Sequence, residues 1–297
     1  MNNAIIIGTG KIGIDLYIKL KRNNIFDKIF IFNTNKFSEG AKYCKKNKFL
    51  YYDTGVNGVK KNLNSCNVIF DCTSANSNMI ITKKLKNLIK NKFYINLTPS
   101  TFGKYVVPYF NQQTIPNEVN LITCGGQTSI PIISLFKKTL RGNLVYSELV
   151  SSISSKSAGI ATRNNINEYV INTENAIKQL AKIKKTKVII NLNPSVPPVN
   201  MMNSLFFELK KSIKPKEYIN LKKELKKINS QIKFYIPDYN ATLFKGFDER
   251  VLRVTVRVIG QGDYLPTYAG NLDIMTSSAV HLSKQINQNY FDGKSKK

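Results

Sequence analysis

Apolar and polar positions along the chain follow two different rhythms. Up to about residue 123, short apolar runs alternate with amphipathic stretches. Residues 4–8 read as a fully buried strand, and 11–23 as a helix carrying Ile12, Leu16 and Leu20 on one face. Further strands are predicted at 29–33, 68–72, 93–97 and 119–123, with helices at 38–46 and 79–89. Strands and helices alternating through short connections predict a parallel, doubly wound sheet.

Beyond that point the strands lengthen. A helix is predicted at 130–140, a partly alternating strand at 144–154, a helix at 167–183 and a strand at 187–193. Pro194, Pro197 and Pro198 mark the loop that follows. A lysine-rich helix at 216–228, an alternating strand at 250–259 and a helix at 271–287 complete the pattern. This mixture predicts an α+β second domain on a more open sheet. The expected organisation is one domain over 1–123, a second over 124–270, and a helix at 271–290 returning to the first. Residues 292–297 read as a frayed tail.

Composition narrows the class. With 297 residues, 42% of them hydrophobic, the chain can bury a sizeable core in two domains. The net charge of +27 invites a nucleic-acid reading, but the lysines are spread almost evenly and do not mass in one block. Charge of that kind argues solubility and non-specific association, so no specific nucleic-acid partner is expected. Cys44, Cys66, Cys72 and Cys124 show no C-x-x-C spacing, which predicts neither a zinc site nor a disulfide framework; no metal is expected. No apolar run reaches the roughly 18 residues of a membrane span and no leader-like segment stands first. The expectation is a soluble, cytoplasmic protein.

Three stretches carry candidate chemistry. Gly8-Thr-Gly-Lys-Ile-Gly13 follows a predicted strand and opens a helix, the context in which Thr9, Gly10, Lys11 and Ile12 would meet a dinucleotide pyrophosphate. The acidic residue that normally follows about 20 positions later to hold the ribose is replaced by Asn33-Thr-Asn35. Asparagine can bond a ribose but does not repel a 2′-phosphate, so NAD and NADP both stay open. Cys124, in Thr-Cys-Gly-Gly-Gln, sits where a strand-like run gives way to a helix. A helix start favours thiolate, making it a candidate nucleophile; a packed structural thiol is the alternative. The hydroxyl-rich segment from Ser151 to Arg163 reads either as a cofactor wrap or as a polar loop. The lone histidine, His281, lies in a predicted helix far along the chain from the other motifs and is not expected to be catalytic.

Taken together, Gly8-Thr-Gly-Lys-Ile-Gly13, Phe70-Asp-Cys-Thr-Ser-Ala75, Thr123-Cys-Gly-Gly-Gln127, Ser154-Ser-Lys-Ser-Ala-Gly159, Thr162-Arg163, Asn193-Pro194 and Tyr268-Ala-Gly-Asn-Leu-Asp-Ile-Met-Thr276 resemble the acetylating acetaldehyde dehydrogenases of meta-cleavage pathways. The resemblance runs in order from about residue 4 to 285 and is weakest over 210–245. It implies a fold like that of glyceraldehyde-3-phosphate dehydrogenase, with a Rossmann domain followed by an α+β catalytic and dimerisation domain. It also implies that a short-chain aldehyde, NAD and coenzyme A are converted to acyl-CoA and NADH through an acyl thioester on Cys124. Thr9, Gly10, Lys11 and Ile12 would line the pyrophosphate. Ser155, Lys156, Ser157, Ala158, Gly159, Ile160, Ala161, Thr162 and Arg163 would form a second part of the NAD site, and Asn271 would meet the nicotinamide end. The implied assembly is a homodimer within a complex with 4-hydroxy-2-oxovalerate aldolase.

Three positions depart from the family pattern. Asn33 replaces an acidic residue, Gly159-Ile-Ala-Thr-Arg163 replaces Gly-Pro-Gly-Thr-Arg, and Asn203 stands where the family carries an aspartate. The departures keep open a catalytically impaired paralogue that scaffolds the aldolase, and the shared fold and cysteine keep open a phosphorylating or semialdehyde dehydrogenase.

Overall fold

The computed structural model describes residues 2–110, 114–246 and 248–291, apart from the side chains of Ile160 and Ala161. The tail expected at 292–297 lies outside the described residues. The chain divides into two compact units. The first takes in the chain up to Leu121, Asp263–Leu265 and the chain from Met275 on; the second takes in Ile122–Gly262 and Pro266–Ile274.

In the first unit β1 (Asn3–Ile7), α1 (Lys11–Arg22), β2 (Lys28–Phe32), α2 (Glu39–Lys46), β3 (Leu50–Tyr52), α3 (Gly55–Asn62), β4 (Val68–Asp71), α4 (Ala75–Leu85), β5 (Phe93–Asn96), β6 (Lys104–Tyr105) and β7 (Glu118–Asn120) follow one another. Every strand pairing is parallel, in the order β3-β2-β1-β4-β5-β7-β6. The order reverses between β1 and β4, the switch point at which doubly wound sheets open a ligand crevice. Apolar strands buried on both faces build the core: Ile5, Ile7, Phe32, Ile69 and Tyr94 pack with Val59, Ile81 and Leu85 from the covering helices and with Leu63 and Ile89 from the turns that follow those helices.

Two differences from the sequence expectation have local causes. The helix expected at 79–89 begins four residues earlier, because Ser74 caps it by accepting from the Ser77 N–H at 3.2 Å. The strand expected at 119–123 ends at Asn120, because Ile122 takes the left-handed conformation (φ 65) and turns the chain. That conformation is a strained outlier for a β-branched residue, costing on the order of 1–3 kcal/mol.

The second unit contains α5 (Cys124–Leu140), β8 (Leu144–Ser154), α6 (Ile160–Asn164), α7 (Ile166–Ala176), β9 (Thr186–Asn193), β10 (Met201–Leu209), α8 (Pro215–Lys233), β11 (Tyr239–Lys245) and β12 (Val251–Val258). Its sheet runs β11-β12-β10-β8-β9, antiparallel except for the β8–β9 pair. The helix expected at 130–140 starts six residues earlier and holds Pro131 inside. Strands β10 and β11 are absent from the sequence expectation. Leu149, Leu205, Phe207, Val254 and Val256 face inward, with Phe136 of α5 stacked on Phe207 at 3.9 Å between ring centroids.

The last helix, α9 (Gly270–Ile286), contributes residues to both units. Its part in the first unit is tied by charge. Lys19 of α1, almost wholly buried, lies 2.9 Å from Asp15 Oδ2 and donates to Thr276 Oγ1 at 2.9 Å, while Thr276 donates to Asp15 at 2.6 Å. Arg22 pairs with Asp263 close by. A charge taken out of water this completely is tolerated only when its partners are in place.

Candidate active site

In the first unit, the turn after β1 is built for close approach. Gly8 has φ 106, and a Cβ there would meet the Cys72 carbonyl oxygen at 2.9 Å. A Cβ on Gly13 would fall on the Gly8 carbonyl oxygen, so α1 packs directly onto the strand. Gly10 caps α1 without a side-chain bond, no acidic residue stands in the first turn, and a Cβ at Gly10 would point into open space. Beside this turn lies a cleft of about 240 Å³ lined by Gly8, Asn33, Thr34, Gly55, Thr73 and Lys84, among others. Asn33 there donates from Nδ2 to Thr9 Oγ1 (2.6 Å), the Asn35 carbonyl (3.1 Å) and Ser38 Oγ (3.2 Å).

The floor of the same sheet end is a closed polar network. Asp71 Oδ1 accepts from the Thr73 N–H (3.0 Å) and hydroxyl (2.6 Å); its Oδ2 accepts from Asn78 Nδ2 (2.8 Å) and the Tyr94 hydroxyl (2.6 Å). Ser100 donates to Asn78 Oδ1 at 2.7 Å and accepts from Asn96 Nδ2 at 2.8 Å. Burial and the Asp71 charge hold the Tyr94 phenol well above its ordinary range.

In the second unit, Cys124 is the first residue of α5, and Thr123 caps the helix by accepting from the Gly126 N–H at 3.1 Å. The helix start anticipated from sequence is therefore present, but burial works against the thiolate it should favour. Desolvation dominates and pushes the thiol up to about 11, against weaker opposing contributions from Tyr169, the Gly125 N–H and its own N–H. Nor are the first N–H groups of the helix open: that of Gly125 donates to the Tyr169 hydroxyl at 3.2 Å, and that of Gln127 to the Thr123 carbonyl at 2.9 Å.

Tyr169 is the residue that sequence reading missed. It stands on α7, buried, with its hydroxyl 3.8 Å from Cys124 Sγ and donating to Ser151 Oγ at 3.1 Å. Its phenol also lies well above the ordinary range, chiefly through burial. A Cβ on Gly125 would land on this hydroxyl, so glycine is what lets the tyrosine approach. The signal was present in the pattern: Asn165, Tyr169, Asn172, Thr173 and Ala176 make a helical stripe that is buried yet mostly polar. Asn172 donates to the carbonyl of the strained Ile122 at 3.2 Å, and Thr173 bonds Thr123 at 2.7 Å.

Asn203, on the buried face of β10, donates from Nδ2 to Thr128 and to Ser129 Oγ, the latter at 3.2 Å. Its Oδ1 has no hydrogen-bond partner. Thr128 in turn donates to the carbonyls of Cys124 (3.0 Å) and Gly125 (2.9 Å). The segment after β8 is fastened by Arg163, which donates to Ser155 O (3.0 Å), Ser155 Oγ (2.7 Å) and Ala158 O (3.2 Å). Ser157 is buried and Lys156 exposed; the side chains of Ile160 and Ala161 lie outside those described. Asn271 is buried with its Oδ1 unpartnered. His281 belongs to the first unit and faces Gln285 of its own helix at 3.4 Å; burial and the Lys284 charge lower it to about 4. Among the described residues no group of three or more His, Cys, Asp or Glu side chains could hold a metal, and no helix is long and apolar enough to cross a membrane.

Residues 124–266 match the family model for the prokaryotic acetaldehyde dehydrogenase dimerisation domain. An acetaldehyde dehydrogenase of Bacillus thuringiensis is 35% identical over 285 residues, covering 95% of this chain and 93% of that protein. One from Pectobacterium atrosepticum is 34% identical, covering 95% and 94%. Among solved structures, aspartate semialdehyde dehydrogenase II of Vibrio cholerae superposes with a TM-score of 0.59 at 12% identity, covering 97% of this chain and 99% of that one, a likeness of fold. That likeness agrees with the expected glyceraldehyde-3-phosphate-dehydrogenase-like architecture. With a buried cysteine at a helix start in one unit, a glycine-lined crevice in the other and relatives that match nearly end to end, the chain belongs to the acetaldehyde dehydrogenase family.

Proposed function

We propose that this protein is an acylating aldehyde dehydrogenase that converts acetaldehyde or another short-chain aldehyde and coenzyme A to acyl-CoA with reduction of NAD. The observation that carries the reading is Cys124 itself, held at the start of α5 with Tyr169 within 3.8 Å of its sulfur. The residues of the first unit fit a dinucleotide: Gly8 and Gly13 leave no room for side chains, and the space before Gly10 would admit a diphosphate at the uncapped start of α1. Thr9, Gly10, Lys11 and Ile12 would bind it there. Ser155–Arg163 and Asn271 are the second unit's proposed contacts, Asn271 through the unpartnered Oδ1, which suits the N–H of a carboxamide.

In this reading the Cys124 thiolate attacks the aldehyde carbonyl and forms a thiohemiacetal. Bound NAD supplies the hydride acceptor. Loss of hydride to that acceptor and of the hydroxyl proton to solvent would convert the thiohemiacetal to an acyl thioester on Cys124. The coenzyme A thiol then attacks that thioester, releases acyl-CoA and restores the cysteine. We further propose a homodimer, supported by the match to a dimerisation domain, and a 4-hydroxy-2-oxovalerate aldolase partner, supported by the sequence resemblance.

Incubation with acetaldehyde and NAD without coenzyme A should leave an acetyl adduct on the Cys124 peptide by mass spectrometry and one stoichiometric burst of NADH. Cys124→Ser should show neither. A second reading, an impaired subunit that only scaffolds its partner, is favoured by the amide at Asn203; it predicts no adduct on the native protein. Phosphate dependence in place of coenzyme A dependence would point to a phosphorylating enzyme.

A further inference from the structure

We propose that the Tyr169 hydroxyl activates Cys124 by turning its hydrogen from Ser151 toward the sulfur as the thiol ionises. This rests on the reading of Cys124 as nucleophile and supplies the assistance that Asn203, an amide with no basic oxygen and with its nitrogen bonded to Thr128 and Ser129, does not offer.

A phenol oxygen has one hydrogen to give and two lone pairs to receive. In the resting state the Tyr169 oxygen accepts from the Gly125 N–H at 3.2 Å and donates to Ser151 Oγ at 3.1 Å, leaving one lone pair toward the sulfur at 3.8 Å. A protonated thiol can donate into that lone pair. Once the sulfur is anionic the preference reverses. The phenol hydrogen rotates to the sulfur and gives up its bond to Ser151, so Ser151 competes for that hydrogen only while the thiol is protonated. No heavy atom moves. The thiol proton leaves to solvent, and Tyr169 stays protonated throughout because its own ionisation is driven well upward by burial. Tyr169 thus serves as a donor and not as a base.

The surroundings leave it little competition. The influences on the thiol are burial, the Tyr169 hydroxyl and the N–H groups of Gly125 and Cys124; no charged side chain is among them. Among the described residues, Tyr169 on α7 is the titratable side chain facing the sulfur, while β8 presents Leu149 and Ser151 at the Gly125 turn. With burial this complete, one charge-assisted hydrogen bond decides how much thiolate is available near neutral pH.

The rate at which iodoacetamide alkylates the Cys124 peptide, followed by mass spectrometry at fixed pH between 7 and 9, is proportional there to the thiolate fraction and so reads shifts in the ionisation midpoint without aldehyde or cofactor, tenfold in rate for each pH unit. In Tyr169→Phe the midpoint should rise by about one to two pH units, the 10- to 100-fold expected for loss of a hydrogen bond to a charged group. In Ser151→Ala the phenol loses its resting acceptor and the midpoint should fall. An unchanged or lowered midpoint in Tyr169→Phe overturns the proposal. If that variant does not fold by circular dichroism, a midpoint in Ser151→Ala that stays or rises overturns it equally. The acyl adduct on native Cys124 is scored separately, so opposite midpoint shifts without any adduct would sink the dehydrogenase reading and leave this one standing.

Discussion

Two buried tyrosines invite comparison. Tyr94, in the first unit, donates to a carboxylate whose two oxygens accept four hydrogen bonds, and its neighbours Asn78, Ser100 and Asn96 are paired in turn. Tyr169, in the second unit, donates to a neutral serine, and two amides of its surroundings, Asn172 and Asn203, keep buried oxygens without partners. Both phenols are driven upward chiefly by burial. A saturated network has a single lowest arrangement and acts as structure. A network with acceptors to spare can redirect a hydrogen, and open acceptors in a native core call for a functional explanation.

The largest break in that contrast should come from Asp71→Ala. It removes the acceptor of four donors, of which Asn78 Nδ2 and the Tyr94 hydroxyl are buried, and is expected to cost about 3–5 kcal/mol in urea unfolding. Next comes pH. Because folding raises the Cys124 thiol from 9.0 to about 11, its contribution is fully present below pH 9 and is lost as pH climbs to 11. About 2–3 kcal/mol of stability should disappear across that window, and Cys124→Ser should lack this part of the loss. Exchanging the two phenols for phenylalanine sharpens the comparison directly. Tyr94→Phe removes a bond to a charged group and should cost about 1.5–3 kcal/mol with no shift in Cys124 alkylation. Tyr169→Phe leaves the buried Gly125 N–H without its acceptor and should cost about 1–3 kcal/mol, and unlike Tyr94→Phe it should also move the alkylation midpoint. The smallest effect concerns Asn33: with no carboxylate lining the cleft and Lys84 among its walls, NAD and NADP should bind comparably in fluorescence titrations. Asn33→Asp should then weaken NADP by about tenfold relative to NAD.

The sequence was most informative where the signal is local. Glycine spacing located the crevice of the first unit, and β8 was read at its true ends because one face alternates. Strand β10 escaped because Met202 and Phe206 are apolar on its outer face while Asn203 is polar on its buried one, which blurs the period of two. Cys124 was legible as a helix start because a strand-like run ends there, although the helix itself was expected only from residue 130. The thiol's ionisation was not legible, because desolvation depends on what the rest of the chain lays over it. Tyr169 stands 45 residues from the cysteine, and only the polar stripe of α7 hinted at a buried role.

One consequence of the buried carboxylates reaches the exterior. The chain has only 18 acidic residues, and Asp15, Asp71 and Asp273 are withdrawn from solvent while the buried lysine cluster takes a single cation with them. The face shown to water is therefore even more one-sided than the formal +27 suggests. Such a molecule carries a dense atmosphere of counterions, and an approaching polyphosphate must displace them. The field reaches about 8 Å at physiological ionic strength. Encounter with anionic co-substrates should be fast in dilute buffer and slow steadily as salt is added.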